Sequence, residues 1–174
     1  MAGPTSSTEN VKLGVCTVLF NAEDLGFTKG GVEVEVTTDT HEVTVDQFGD
    51  TPIDELVTGR KVTVKVPLAE TTLDNLVRIM PGATLIVDGT DPKKRQVVVD
   101  TGVSISLLSI AKKLVLRPKG TTGEEDFTIF KAMTAGAISF AYQSDTERVF
   151  NVSFKGYADA TGKLFALGDT TAAA

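Results

Sequence analysis

The stretch Gly30–Pro81, GGVEVEVTTDTHEVTVDQFGDTPIDELVTGRKVTVKVPLAETTLDNLVRIMP, decides the fold. Val32, Val34 and Val36 alternate with Glu33, Glu35 and Thr37, the period of a strand with one buried face. Val43 and Val45 resume the alternation opposite Thr44 and Asp46, after a turn or as the second half of one long bent strand. Gln47 to Gly59 reads as a polar connection with a short helical turn, Ile53 to Val57, opened by Pro52. Val62, Val64 and Val66 then alternate with Lys61, Thr63 and Lys65 in a strand that Pro67 ends. Glu70 to Met80 is the one helix the periodicity predicts. Leu73, Leu76, Val77 and Met80 make a stripe, Thr71 caps it, and Pro81-Gly82 stops it.

Outward from this stretch the chain stays strand-rich. Val11 to Phe20 reads as a first strand, and Asn21 to Gly31 as a loop. Thr84 to Val87 leads into the turn pair Asp88-Gly89. Strand-like segments follow at Arg95 to Asp100, Ser104 to Ile110, Lys113 to Leu116 and Phe127 to Met133. Ile138, Phe140 and Tyr142 alternate, as do Phe150, Val152 and Phe154, and Leu164 to Leu167 closes the series. One helix cannot cover both faces of a large sheet. The predicted fold is therefore mainly β: a two-sheet β-sandwich or barrel with one flanking α-helix. The expected organisation is a flexible arm over residues 1–10, a single domain over 11–168 and a tail over 169–174.

Composition narrows the function classes. The 174 residues carry a formal net charge of −6, and an acidic surface disfavours a sequence-independent grip on nucleic acid. No run of apolar residues approaches the roughly 18 of a membrane helix. The N-terminal residues lack the basic and apolar regions of a secretory signal, so synthesis and assembly in the cytoplasm are expected. Cys16 has no partner for an internal disulfide and reads as a small hydrophobe in a strand.

The residues do not spell out a reaction. His41 is the single histidine, too few soft ligands stand near it for zinc, and it reads as solvent-facing or interfacial. No Gly-x-Ser-x-Gly elbow occurs. The Gly156 to Lys163 segment departs from a phosphate loop: five residues separate its glycines, and Leu164 stands where Ser or Thr would bind magnesium. Neither Lys93-Lys94-Arg95 nor Lys112-Lys113 is interleaved with aromatics, as a single-strand binding platform needs. No catalysis, cofactor or metal is expected.

The Gly-Gly-Val-Glu-Val opening, Thr51-Pro52-Ile53-Asp54-Glu55, Gly59-Arg60 and VKVPLAETT from Val64 to Thr72 come in a particular order. So do Arg148 to Phe154, Tyr157-Ala158-Asp159 and Leu167-Gly168-Asp169. In that order and spacing the chain resembles, over most of its length, the major tail tube proteins of tailed bacteriophages. Their fold also forms the inner tubes of tailocins and type VI secretion systems. The resemblance implies a structural virion protein that assembles as hexameric rings stacked into a tube through which DNA is ejected. Each subunit would lend strands to one barrel around the lumen. The implied partners are further copies of the chain, the tape measure protein, the tail terminator, baseplate or tail-tip proteins and, in contractile tails, a sheath. The implied location is the virion tail.

On that reading Glu33, Glu35 and Asp46 are candidates for an acidic lumen that lets DNA slide, with Lys61 and Lys65 placed to neutralise them. The long polar loop holding Phe48, Gly49, Asp50, Ile53 and Leu56 is the candidate contact with the next ring. Two alternatives stay open: a type VI or tailocin inner-tube protein, and a monomeric β-sandwich binding module, which would need aromatics clustered in a groove.

Overall fold

The computed structural model describes residues 6–8 and 11–172. It is mainly β, with one large antiparallel sheet, a small second sheet and one packed helix. In chain order the elements are β1 (Cys16–Phe20), β2 (Glu23–Asp24), β3 (Glu33–Thr44), β4 (Pro52–Leu68), α1 (Leu73–Ile79), β5 (Ala83–Val87) and β6 (Arg95–Val99). They continue with the single turn α2 (Leu107–Ile110), then β7 (Lys112–Pro118), β8 (Phe127–Ser139), β9 (Phe150–Tyr157) and β10 (Phe165–Leu167). The large sheet runs β2-β1-β7-β8-β9-β4-β3, with β10 paired to β8 beside β9; β5 and β6 form a separate hairpin.

The large sheet curls until its halves face each other. The segment after β2 bridges them: Leu25 N–H donates to the Val18 carbonyl of β1, and Lys29 N–H to the Pro67 carbonyl of β4. Inside lie Val18 and Phe20 of β1, Val62 to Leu68 at alternate positions of β4, Leu114 and Leu116 of β7, and Phe150, Val152 and Phe154 of β9. The Phe20 and Phe154 rings meet at 5.2 Å between centroids. Gly156 lies against this core because a Cβ there would stand 2.3 Å from Val62 Cγ1 and 2.9 Å from Ile129 Cγ2.

Helix α1 closes one end of the core. Its N-cap is Thr72, not the predicted Thr71: the Thr72 hydroxyl accepts from Asn75 N–H, while Thr71 Oγ1 takes the Arg148 guanidinium. The buried side is Asn75 and Ile79, with Leu73 exposed, so the predicted stripe is rotated. The reason is polar. Asn75 Nδ2 donates to the Leu25 carbonyl at 2.8 Å and the Glu70 carbonyl at 3.0 Å, ending two buried or half-buried orphan acceptors.

Other sequence expectations are corrected. The first strand begins at Cys16, because Val11, Leu13 and Val15 are all exposed, Leu13 at 97%. Ser104 to Ile110 is not a strand: Ser104 takes a positive φ of 67° and leads into α2. β8 ends at Ser139, so Phe140 and Tyr142 lie beyond it. There they meet edge to face, Phe140 also packs on Phe150, and Arg148 sits over Tyr142. This small aromatic group pins the connection to β9. Cys16 is half-buried, and burial pushes its thiol pKa up, which disfavours the reactive thiolate. Of the expected arm and tail, residues 1–5, 9–10 and 173–174 lie outside the described residues.

Candidate assembly interface

β3 and β4 form a hairpin far longer than the sheet needs. β9 covers β4 only from Thr63 to Leu68, whereas β3 pairs with β4 from Lys65 out to Pro52. From Pro52 to Lys61 the two strands therefore stand alone as a ribbon, roughly 30 Å long at about 3.3 Å per residue. A two-stranded ribbon is at best marginally stable in water. β3 is also the end of the sheet, so its outer edge of N–H and C=O groups has no strand partner among the described residues.

The predicted connection Gln47 to Gly59 and its helical turn are thus overturned. The turn is tight, a 3₁₀ turn Asp46–Phe48 followed by Gly49 with φ 62°, and β4 begins at Pro52. Pro52 is tolerated as the first residue of a strand. Two register shifts disguise the strand, one between Asp39 and Thr40 and one between Val43 and Thr44, where Thr58 and Ile53 are the extra residues of β4. Each shift resets the alternation that sequence reading relies on.

The candidate ring-contact residues fall on this ribbon. Phe48, Gly49 and Asp50 are at its turn, and Ile53 and Leu56 are on β4, 52% and 53% exposed. Val57 is exposed as well. The expected buried face of β3 is only partly realised, with Val34 at 39% and Val36 at 41% exposure, because the edge strand overhangs the core.

The lumen candidates do not form one patch. Glu33 and Glu35 share a face with Lys65 and Thr63, and Glu33 stands 3.4 Å from Lys65 Nζ. Asp39, a residue not singled out from sequence, takes Lys61 at 2.7 Å. Such exposed pairs contribute about 0–1 kcal/mol each. Asp46 lies in the turn rather than on β3, on the order of 40 Å along the strand from Glu33.

The ribbon is nonetheless sharply acidic. Residues 39–57 hold six of the chain's 23 acidic residues and none of its 17 Lys and Arg, leaving 17 acidic and 17 basic residues in the rest. Glu42 and Glu55 are register partners, and opposed like charges destabilise a strand pair. The Thr40 hydroxyl donates to Glu55 at 2.5 Å. His41 faces Leu56 on the exposed ribbon.

Elsewhere an open groove of about 570 Å³ lies between the base of β4, β9 and the β8 bulge, lined by Ser139, Asn151 and Ser153 but by no histidine. Among the described residues no cluster of three or more His, Cys, Asp or Glu is placed to hold a metal, and no helix is long and apolar enough to cross a membrane. No protein-family model matches the chain, and a search of the curated proteins gives no match.

Proposed function

We propose that this chain is the subunit of a bacteriophage tail tube, a structural protein that polymerises as stacked hexameric rings into a conduit for DNA ejection. The observation that carries the proposal is the β3–β4 ribbon. It is long, solvated on both faces, open along one edge and dotted with exposed apolar side chains. An exposed edge of this length is an aggregation hazard, and closing it against neighbouring copies in a ring removes the hazard. The resemblance in sequence supplies the particular assembly: each ribbon contributes to a shared barrel around a lumen. It also supplies the location in the virion tail, assembly in the host bacterial cytoplasm, and the tape measure, terminator, baseplate or tail-tip and sheath partners.

The chain's role in this reading is mechanical, with DNA passing through and no bond made or broken. Negative-stain electron microscopy over a concentration series, with and without a tail-tip complex as initiator, tests it. Hollow tubes are expected. A chain that stays monomeric under every condition overturns the reading.

A further inference from the structure

The acidic ribbon has a counterpart on the opposite side of the charge balance. Strands β7, β8 and β9, adjacent in the sheet, carry Lys112, Lys113, Arg117, Lys131 and Lys155 and no acidic residue. Arg117 is committed to Asp126 through a two-pronged contact at 2.7–3.2 Å. Among the described residues Lys113, Lys131 and Lys155 take part in no ion pair, and each is exposed.

The register brings these three together. Lys112 pairs with Ala132, which sets Lys113 beside the Phe130–Lys131 bulge. Lys131 pairs with Tyr157, and Lys155 pairs with Met133, two residues along β8. Their neighbours Leu114, Ala132 and Phe154 are fully buried. Alternation therefore turns the three lysines outward, as a row across three strands.

Resting on the tube reading above, we propose that the acidic β3–β4 ribbon of one copy seats on the Lys113–Lys131–Lys155 row of a second copy. The carboxylates of the ribbon are strung along its length and do not converge, so the arrangement fits an extended basic surface and not a point cation. The opposed Glu42 and Glu55 carry a repulsion within the subunit that an incoming ammonium relieves. The row and the ribbon lie on different strands of one chain. The contact is therefore heterologous, of the kind that generates rings and filaments.

Charge reversal in the full chain tests the pairing. One variant carries Lys113→Glu, Lys131→Glu and Lys155→Glu. A second carries Glu42→Lys, Asp54→Lys and Glu55→Lys, and a third combines all six. Assembly is followed by sedimentation and electron microscopy at low and high salt, with circular dichroism to check folding. Each triple variant is expected to raise the concentration for half-assembly roughly tenfold or more, the size set by three exposed charge pairs. The six-fold variant is expected to recover the wild-type value. The wild-type dependence is expected to weaken at about 1 M salt, where the Debye length falls to about 3 Å.

A lysine-reversal variant that assembles like wild type overturns the pairing and leaves the tube reading standing. So does a folded six-fold variant that fails to recover. Should a reversal disturb folding, the neutral set Lys113→Gln, Lys131→Gln and Lys155→Gln takes its place, and an unchanged assembly midpoint for it overturns the pairing equally. A wild-type chain that never assembles overturns both readings.

Discussion

Replacing Ile53 and Leu56 by serine separates the subunit's own stability from its assembly. Both side chains sit on the solitary part of β4, a little more than half exposed. Burying a whole Ile or Leu side chain contributes about 1.5–3 kcal/mol, so the exposed halves hold about 1 kcal/mol each in reserve. A contact that covers both gains about 2 kcal/mol, on the order of a 30-fold change in the association constant per contact. In the proposed ring several such contacts per subunit multiply the effect, and polymerisation is expected to vanish at working concentrations. The monomer, by contrast, is expected to keep its melting temperature, because neither residue belongs to the core. Sedimentation velocity and thermal unfolding on the same preparations read the two quantities. Tubes forming at the wild-type concentration refute the assignment of this face to a subunit contact. A melting point lowered by many degrees refutes the view that the ribbon is independent of the core.

Asn75→Ala removes the donor to the Leu25 and Glu70 carbonyls and is expected to cost about 1–3 kcal/mol in urea unfolding. Gly156→Ala is expected to cost about 1–3 kcal/mol by the same measure, because the new methyl must displace Val62 and Ile129. Acid stability follows from the carboxylates. Arg95 beside Asp74, Lys29 beside Glu147, and hydroxyl and backbone donors around Asp159 and Asp169 all hold folded pKa values below the ordinary range. A depressed folded pKa contributes stability that is present above the unfolded value near 4 and is lost as pH falls through the folded value. Chemical denaturation is thus expected to give a plateau down to about pH 5 and a decline below about pH 4, shallower at the acid end in Asp74→Asn.

The legibility of the fold tracked burial. Val62 to Val66 and Phe150 to Phe154 were readable because one face of each strand meets the core and the other meets solvent. Residues 52–59 read as loop and helical turn because both faces of the ribbon are solvated. No alternation marks such a strand, and the extra residues Ile53 and Thr58 break what remains. The helix was legible as an element but not in its orientation, since the buried amide of Asn75 outweighs the apolar stripe. Of the candidate site, the residues of the ribbon were named from sequence, and their geometry was not. The lysine row was out of reach altogether, because Lys113, Lys131 and Lys155 become neighbours only through the register of three strands.

β8 is the spine of the sheet and is completed from two distant parts of the chain. Its residues Phe127 to Ile129 pair with β10, whereas Lys131 to Ser139 pair with β9 on the same side. β10 follows every other strand in the chain, so the edge at Phe127–Ile129 stays open until Phe165–Leu167 has been synthesised. During translation the chain consequently passes through a stage in which its central strand is half-sheathed while the residues of β3 and β4, synthesised long before, are already present. Pairing between sequence-distant strands such as β1 and β7 makes folding slow as well. A nascent chain of this design leaves the Phe127–Ile129 edge open to pairing with other strands until β10 has docked.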